Sequence, residues 1–316
     1  MTKMGWLMFI YTVVNIGSEK LLKEEMAEKY PNLRPAYSRP GFITFKNCDE
    51  GITYSSESVL YLTFARRYGI SLGRFKSEEA EAKIAEVSEG RTVHRFSSAG
   101  ENFEGKEGKP GQEIVDAITV GEDEIWIGIS RGRRYTWKCC GADPKIEKPA
   151  EAPSRAYMKM EEAMKWTNYK TRERETVLEL GSAPGGASYA LLNRGFKVYG
   201  VDTAKMSEVC LNHPNFTHIE LPMQKLNDET LPDDIDILAC DINLSPEDIV
   251  IQLRRIYKLR PTIKKIFYTL KMTEDISRTN LQKYFNQIRS MGFRTLKSTQ
   301  LPSNRSEIFV YAEREE

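Results

Sequence analysis

From Ser154 onward, short apolar runs alternate with stretches whose apolar residues recur at helical spacing. "SRAYMKMEEAMKW" reads as a helix, "TVLEL" as a strand, and "GGASYALLNRG" as a helix closed by Gly195. "KVYGVD", "THIEL", "IDILACDI" and "KKIFYTLK" read as further strands, separated by helical "AKMSEVCLN" and "PEDIVIQLRRIYKL". "TEDISRTNLQKYFNQIRSMG" is a helix, and "FRTLKSTQL" with "EIFVYAE" a terminal hairpin. This alternation predicts a Rossmann-like α/β domain: a mostly parallel seven-stranded sheet with helices on both faces. Ligands of such sheets bind beyond the carboxyl ends of the strands.

The earlier part of the chain has a different rhythm. "WLMFIYTVV" reads as a buried strand, "GSEKLLKEEMAEKY" as a helix capped by Ser18, and "GFITF" as a strand. "ESVLYLTFARRYGI" reads as helix running into strand, "SEEAEAKIAEVSEG" as a charged helix, and "SSAGENFEGKEGKPG" as a long loop. "EIVDAITVGEDEIWIGISRG" reads as two strands about an acidic turn. "CGADPKIEKPAEAPS" has three prolines and no periodicity, so it marks a boundary. The expected organisation is a smaller α/β region over 1–140, a linker over 141–153 and the Rossmann-like domain over 154–316.

Composition narrows the function classes. The chain is 40% hydrophobic and 29% charged, without an apolar run of the ~20 residues that span a bilayer. A cytoplasmic protein with no membrane partner is expected. Cys48, Cys139, Cys140, Cys210 and Cys240 show no paired spacing, and His94, His213 and His218 form no HxxxH, so neither a disulfide framework nor a metal site is expected. The net charge of +1 does not by itself indicate nucleic acid. Contacts to phosphate would have to come from local clusters. The candidates are Arg66 and Arg67, and separately Arg131, Arg133, Arg134 and Lys138, interleaved with Tyr135 and Trp137.

"LELGSAPGGASYALL" places a loop of small residues and a proline between a strand and a helix. Such a loop brings backbone N–H groups close to a nucleotide-like ligand. A dinucleotide fingerprint needs GxGxxG, but the loop runs Gly181, Ser182, Ala183, Pro184, Gly185, Gly186, and Ala183 replaces the second glycine. No phosphate-binding GKS or GKT follows. Asp202 ends the next strand, where a carboxylate accepts both hydroxyls of a ribose. The pattern fits S-adenosyl-L-methionine, and NAD less well.

Four further residues are conspicuous. Lys159 lies on the helix before the loop, Asp241 closes "DILACD", Lys271 closes "IFYTLK" and Glu307 opens the last strand. Lysines and acids are rarely buried unpaired. Their chemistry suits methylation of a ribose 2′-hydroxyl, in which a base takes the proton as oxygen attacks a methyl group. A lysine does this only when neutral; burial and a second ammonium lower its pKa, and flanking carboxylates oppose that. Lys271 is the expected base, Lys159 the second positive charge, Asp241 the group orienting Lys271, and Glu307 the group positioning Lys159 or the ribose. Base methylation is disfavoured because "DINL" stands where a DPPY-like tetrapeptide is needed. A non-catalytic RNA-binding protein on the same fold is the alternative.

These residues together resemble the FtsJ-like (RrmJ-fold) RNA ribose 2′-O-methyltransferases, marked by a K-D-K-E tetrad. "APSRAYMKMEEA", "LELGSAPGG", "VYGVD", "ACDI", "IFYTLKM" and "SEIFVYA" carry the likeness in order over 152–313. "LTFARRY" is similar to a stretch in members that have an N-terminal THUMP-containing region and modify a cytidine of 23S rRNA. The resemblance implies S-adenosyl-L-methionine as cofactor, large-subunit rRNA or a pre-ribosomal particle as substrate, an RNA-binding N-terminal region and a monomer. It implies that Ser154, Gly181, Ala183, Pro184, Gly185, Gly186, Asp202 and Asp241 contact the cofactor, and that Lys159, Asp241, Lys271 and Glu307 are catalytic. One departure is visible. "IELPMQ" has Leu221 or Pro222 where the family has an acid after the third strand, so backbone and Met223 are expected to meet adenine instead.

Overall fold

The computed structural model describes residues 8–132, 135–172, 174–272 and 278–315. The chain divides into two units, Met1–Pro144 and Lys145–Glu316.

In the first unit, strands β1 (Phe9–Val14), β2 (Leu33–Arg39), β3 (Phe42–Asn47), β4 (Ala65–Phe75), β5 (Thr92–Ser97), β6 (Glu113–Gly121) and β7 (Glu124–Arg131) join helices α1 (Glu19–Lys29) and α2 (Ser77–Val87). The sheet order is β2-β3-β1-β4-β7-β6-β5. Only the β5/β6 pairing is parallel. β1 lies inside the sheet between β3 and β4 and is buried from Ile10 to Val14, which accounts for its continuous apolar reading. The edge strands β2, which holds Pro35, and β5 are too polar to stand out by periodicity.

Two local expectations are corrected. Ser18 makes no capping hydrogen bond through its side chain; the Glu19 carboxylate instead accepts the N–H groups of Gly17 and Gly41, each at 2.8 Å. Residues 57–64 form no helix. Val59 and Tyr61 are exposed and Leu60 is buried between them, while Leu62, Thr63 and Phe64 are buried in succession, a pattern that no single helical face satisfies. Side chains take up the backbone: the N–H of Leu60 donates to the Tyr68 hydroxyl at 2.6 Å, that of Tyr61 to Tyr30 at 2.7 Å, and that of Thr63 to Glu25 at 2.9 Å.

The second unit begins with α3 (Ala156–Thr167) and continues as β8 (Thr176–Leu180), α4 (Gly186–Asn193), β9 (Lys197–Val201), α5 (Glu208–Leu211), β10 (Phe216–Ile219) and β11 (Ile237–Cys240). Then come α6 (Pro246–Leu259), β12 (Lys265–Lys271), α7 (Arg278–Arg289), β13 (Thr295–Thr299) and β14 (Glu307–Glu313). The order is β10-β9-β8-β11-β12-β14-β13, parallel except for β14, which runs against both neighbours. The five residues of β8 are all buried, as a strand covered on both faces requires. Its carboxyl end, with those of β9, β11 and β12, carries the glycine loop, Asp202, Asp241 and Lys271.

Candidate active site

The glycine loop is shaped by close approach. Gly181 follows β8 with φ 76°, and a Cβ there would strike Ile242. A Cβ on Gly186 would strike the Ser154 hydroxyl, so this glycine lets Ser154, two residues before α3, reach the start of α4. The Asp202 carboxylate lies beneath the loop and accepts the N–H of Ala183 at 3.0 Å and of Ala204 at 2.9 Å. A groove of about 190 Å³ opens here, lined by Gly181, Asp202, Thr203, Leu221, Pro222, Met223 and Leu244 among others. The segment lacking the expected acid therefore forms one wall. Arg255 of α6 fixes that wall by donating to the carbonyls of Met223 and, at 2.6 Å, Leu226. Sequence offered no signal for Arg255, because its partners are 29 and 32 residues away.

Lys159, Asp241, Lys271 and Glu307 meet at the strand edge. The antiparallel register of β12 and β14 sets Lys271 directly opposite Glu307. Asp241 arrives one residue past β11, and Lys159 reaches in from α3. Lys271 Nζ lies 2.7 Å from Asp241 Oδ1 and 2.6 Å from Glu307 Oε2. Lys159 Nζ lies 2.5 Å from Glu307 Oε1 and 3.4 Å from Asp241 Oδ2. Each ammonium touches both carboxylates, so the four groups close a ring of zero formal charge. The side chains keep 10–27% exposure, so the ring is not sealed from solvent.

Burial pulls the Lys271 ammonium down, but hydrogen bonds to Asp241 and Glu307 outweigh it and hold the group above its usual value. Burial lifts the Glu307 carboxyl, and hydrogen bonds from Lys159 and Lys271 overcome that and keep it low. Burial and the flanking carboxylates thus pull in opposite directions, as the sequence suggests. In this arrangement the carboxylates prevail, and Lys271 rests as an ammonium.

Glu179 is a neighbour that sequence reading passed over. It is buried on β8, lines a small cavity with Lys159 and Asp241, and accepts the Ser188 hydroxyl at 2.5 Å. Burial pushes its carboxyl up to about 8, opposed by the Ser188 hydrogen bond and assisted by Asp241 and Asp202. Its signal was one charged letter inside an apolar strand. Two exposed arginines also went unremarked: Arg155, one helical turn before Lys159, and Arg305, two residues before Glu307.

The basic clusters of the first unit fare unevenly. Arg67 is fully buried and ion-paired with Asp116, so it is not available to a phosphate; this corrects its assignment as an RNA contact. Arg66 is half-buried. Arg131 is paired with Glu57 at 2.5 Å and Lys138 with Glu107 at 2.8 Å. Arg133 and Arg134 lie outside the described residues. Among the described residues no group of three or more His, Cys, Asp or Glu is placed to hold a metal, and no helix is long and apolar enough to cross a membrane.

The strand order, with its one reversed strand and a glycine loop after the first strand of the sheet, defines an α/β methyltransferase fold. The family model described as FtsJ-like methyltransferase matches residues 152–309, half of the 316, and the chain belongs to that family. Ribosomal RNA large subunit methyltransferase M of Xylella fastidiosa is 31% identical over 180 residues, 54% of this chain and 49% of that protein. The protein of the same name from Photorhabdus asymbiotica is 24% identical over 273 residues, 82% of this chain and 67% of its own length. The chain spans about half the length of most of the curated relatives it matches. Among solved structures, TrmN from Thermus thermophilus overlaps 97% of the chain at 14% identity with a TM-score of 0.39.

Proposed function

We propose that the chain is an S-adenosyl-L-methionine-dependent RNA ribose 2′-O-methyltransferase, acting on large-subunit rRNA at a cytidine of the 23S molecule. The observation that carries this reading is the closed ring of two lysines and two carboxylates beside a glycine-lined groove. The groove suits the cofactor in its own terms. Gly181 lines the groove, Asp202 is held by loop amides where a ribose would lie, and Leu221 to Met223 offer an apolar wall to adenine. Ser154 and the loop from Ala183 to Gly185 would hold its amino-acid tail, and Asp241 borders the reacting end.

When bound, the cofactor supplies an electrophilic methyl group. The chain's task is to deprotonate and aim the ribose oxygen. Lys271 Nζ is the base. It must first release the proton that Asp241 and Glu307 favour, and a cation entering beside Asp241 lowers the affinity for that proton. Glu307 bridges both ammonium groups and keeps Lys159 directed at the oxygen that develops charge. Arg155 and Arg305 stand ready for flanking phosphates, and residues 1–140 serve as a THUMP-like RNA-binding region of a cytoplasmic monomer.

The test is transfer of labelled methyl to total RNA from cells lacking the protein, with wild type beside Lys271→Ala. Wild type is expected to label large-subunit RNA, and the variant to lose about 10²–10⁴-fold in rate. Equal labelling by both would sink the base assignment. RNA binding without cofactor binding would favour the non-catalytic alternative.

A further inference from the structure

The segment joining β13 to β14 turns beside the ring, and its shape rests on two side chains that the proposed mechanism does not use. Asn304 is buried, with 3% exposure. Its Oδ1 accepts the Leu301 N–H at 2.8 Å, and its Nδ2 donates to Glu307 Oε1 at 3.1 Å. A backbone donor on one side and a carboxylate on the other leave a single orientation for this carboxamide. Glu307 Oε1 is the same oxygen that takes Lys159, while Oε2 takes Lys271. One residue before Asn304, Ser303 donates through its N–H at 3.0 Å and its hydroxyl at 2.7 Å to Glu162 Oε2. Glu162 is buried on α3, three residues after Lys159. The turn is therefore tied both to the helix that carries one lysine and to the carboxylate that bridges the pair.

Resting on the methyl-transfer reading above, we infer that Asn304 is a positioning residue: its carboxamide fixes the orientation of the Glu307 carboxylate so that one oxygen faces each lysine. Its neutrality matters as much as its shape. An aspartate at this position keeps an acceptor for the Leu301 N–H. It also places a second carboxylate against Glu307, and added negative charge makes the neighbouring ammonium groups harder to deprotonate. An alanine removes the tie without adding charge.

The experiment compares wild type, Asn304→Asp and Asn304→Ala. It measures kcat and KM for methyl transfer to RNA, melting temperature, and the titration of the lysine side-chain ammonium signals by nitrogen-15 NMR, assigned with Lys159→Arg and Lys271→Arg. For Asn304→Asp the expected result is a folded protein with a lowered melting temperature, kcat lower by about tenfold near neutral pH at a temperature where the variant stays folded, KM within about twofold, and ammonium titration moved to higher pH. Asn304→Ala is expected to lose kcat without that upward movement. Wild-type kcat and titration in Asn304→Asp would overturn the inference, as would parallel loss of kcat, KM and melting temperature in both variants. If wild-type protein transfers no methyl to RNA, the proposed function fails on its own. The titration then decides alone: upward movement in Asn304→Asp upholds the positioning role, and no movement refutes it.

Discussion

Each unit holds a cluster of opposite charges, and the two clusters are built for different ends. In the first unit Arg67, Asp116, His94, Tyr11 and Ser130 are all buried. Asp116 accepts from Tyr11, Ser130 and Arg67, and Arg67 also reaches His94 Nδ1 at 2.9 Å and the carbonyls of Trp137 and Cys139. His94, whose pKa burial and then Arg67 lower, accepts on Nδ1 and donates from Nε2 to the Lys106 carbonyl at 2.9 Å. Each of these side chains is engaged with another part of the unit and none faces water, although the Arg67 Nε itself has no hydrogen-bond partner among the described residues. In the second unit the ring is partly exposed, and its charges bind mainly one another. A sealed network of this kind holds strands and turns together; an open one leaves its charges within reach of a ligand.

That contrast can be broken by substitution. The largest effect is expected from Lys271→Ala, which should abolish transfer by the factor given above while leaving the urea midpoint nearly unchanged. A large loss of stability would show that the ring is structural after all. Arg67→Met should do the reverse to its own unit. Leaving Asp116 buried without its cation is expected to cost about 3–5 kcal/mol, read from urea unfolding. A smaller effect follows from Glu179. Its carboxyl titrates near 8 when folded and near 4.5 when unfolded, so the unfolded chain binds fewer protons between those values and stability falls as pH rises through that window. Glu179→Gln should remove this slope, gaining a few kcal/mol over wild type at pH 9 and much less at pH 5 in melting experiments. The smallest effects belong to Arg155→Ala and Arg305→Ala. Each should weaken RNA binding by about 1 kcal/mol and lower its salt dependence, with kcat at saturating RNA unchanged.

Much of the second unit was legible because two of its four ring residues close apolar runs. Asp241 and Lys271 each follow a buried strand, and the position of such residues at the carboxyl edge follows from the alternation of strand and helix. What stayed hidden depends on long-range partners. Glu162 and Ser303 are 141 residues apart, and nothing local announces that they meet. Arg66 and Arg67 show the same limit at short range. Adjacent residues of a strand face opposite sides, and the sequence "ARRYG" does not say which arginine goes inward. The basic cluster was therefore read as one surface when the sheet divides it between two environments. The 57–64 segment failed differently: its helix-length apolar run is held extended by hydroxyl and carboxylate acceptors from elsewhere in the unit.

The pairing of Lys271 with Glu307 across β12 and β14 has a consequence for how the site comes into being. Because successive residues of a strand point to opposite faces, a slip of one position in this pairing would turn Glu307 away from both lysines. The ring cannot be assembled piecemeal. A chain growing from its amino end has displayed Lys159, Asp241 and Lys271 before the closing carboxylate exists, and those three alone carry surplus positive charge. Completion of the final strand is at once the last step of building the sheet and the step that brings its reactive edge to balance.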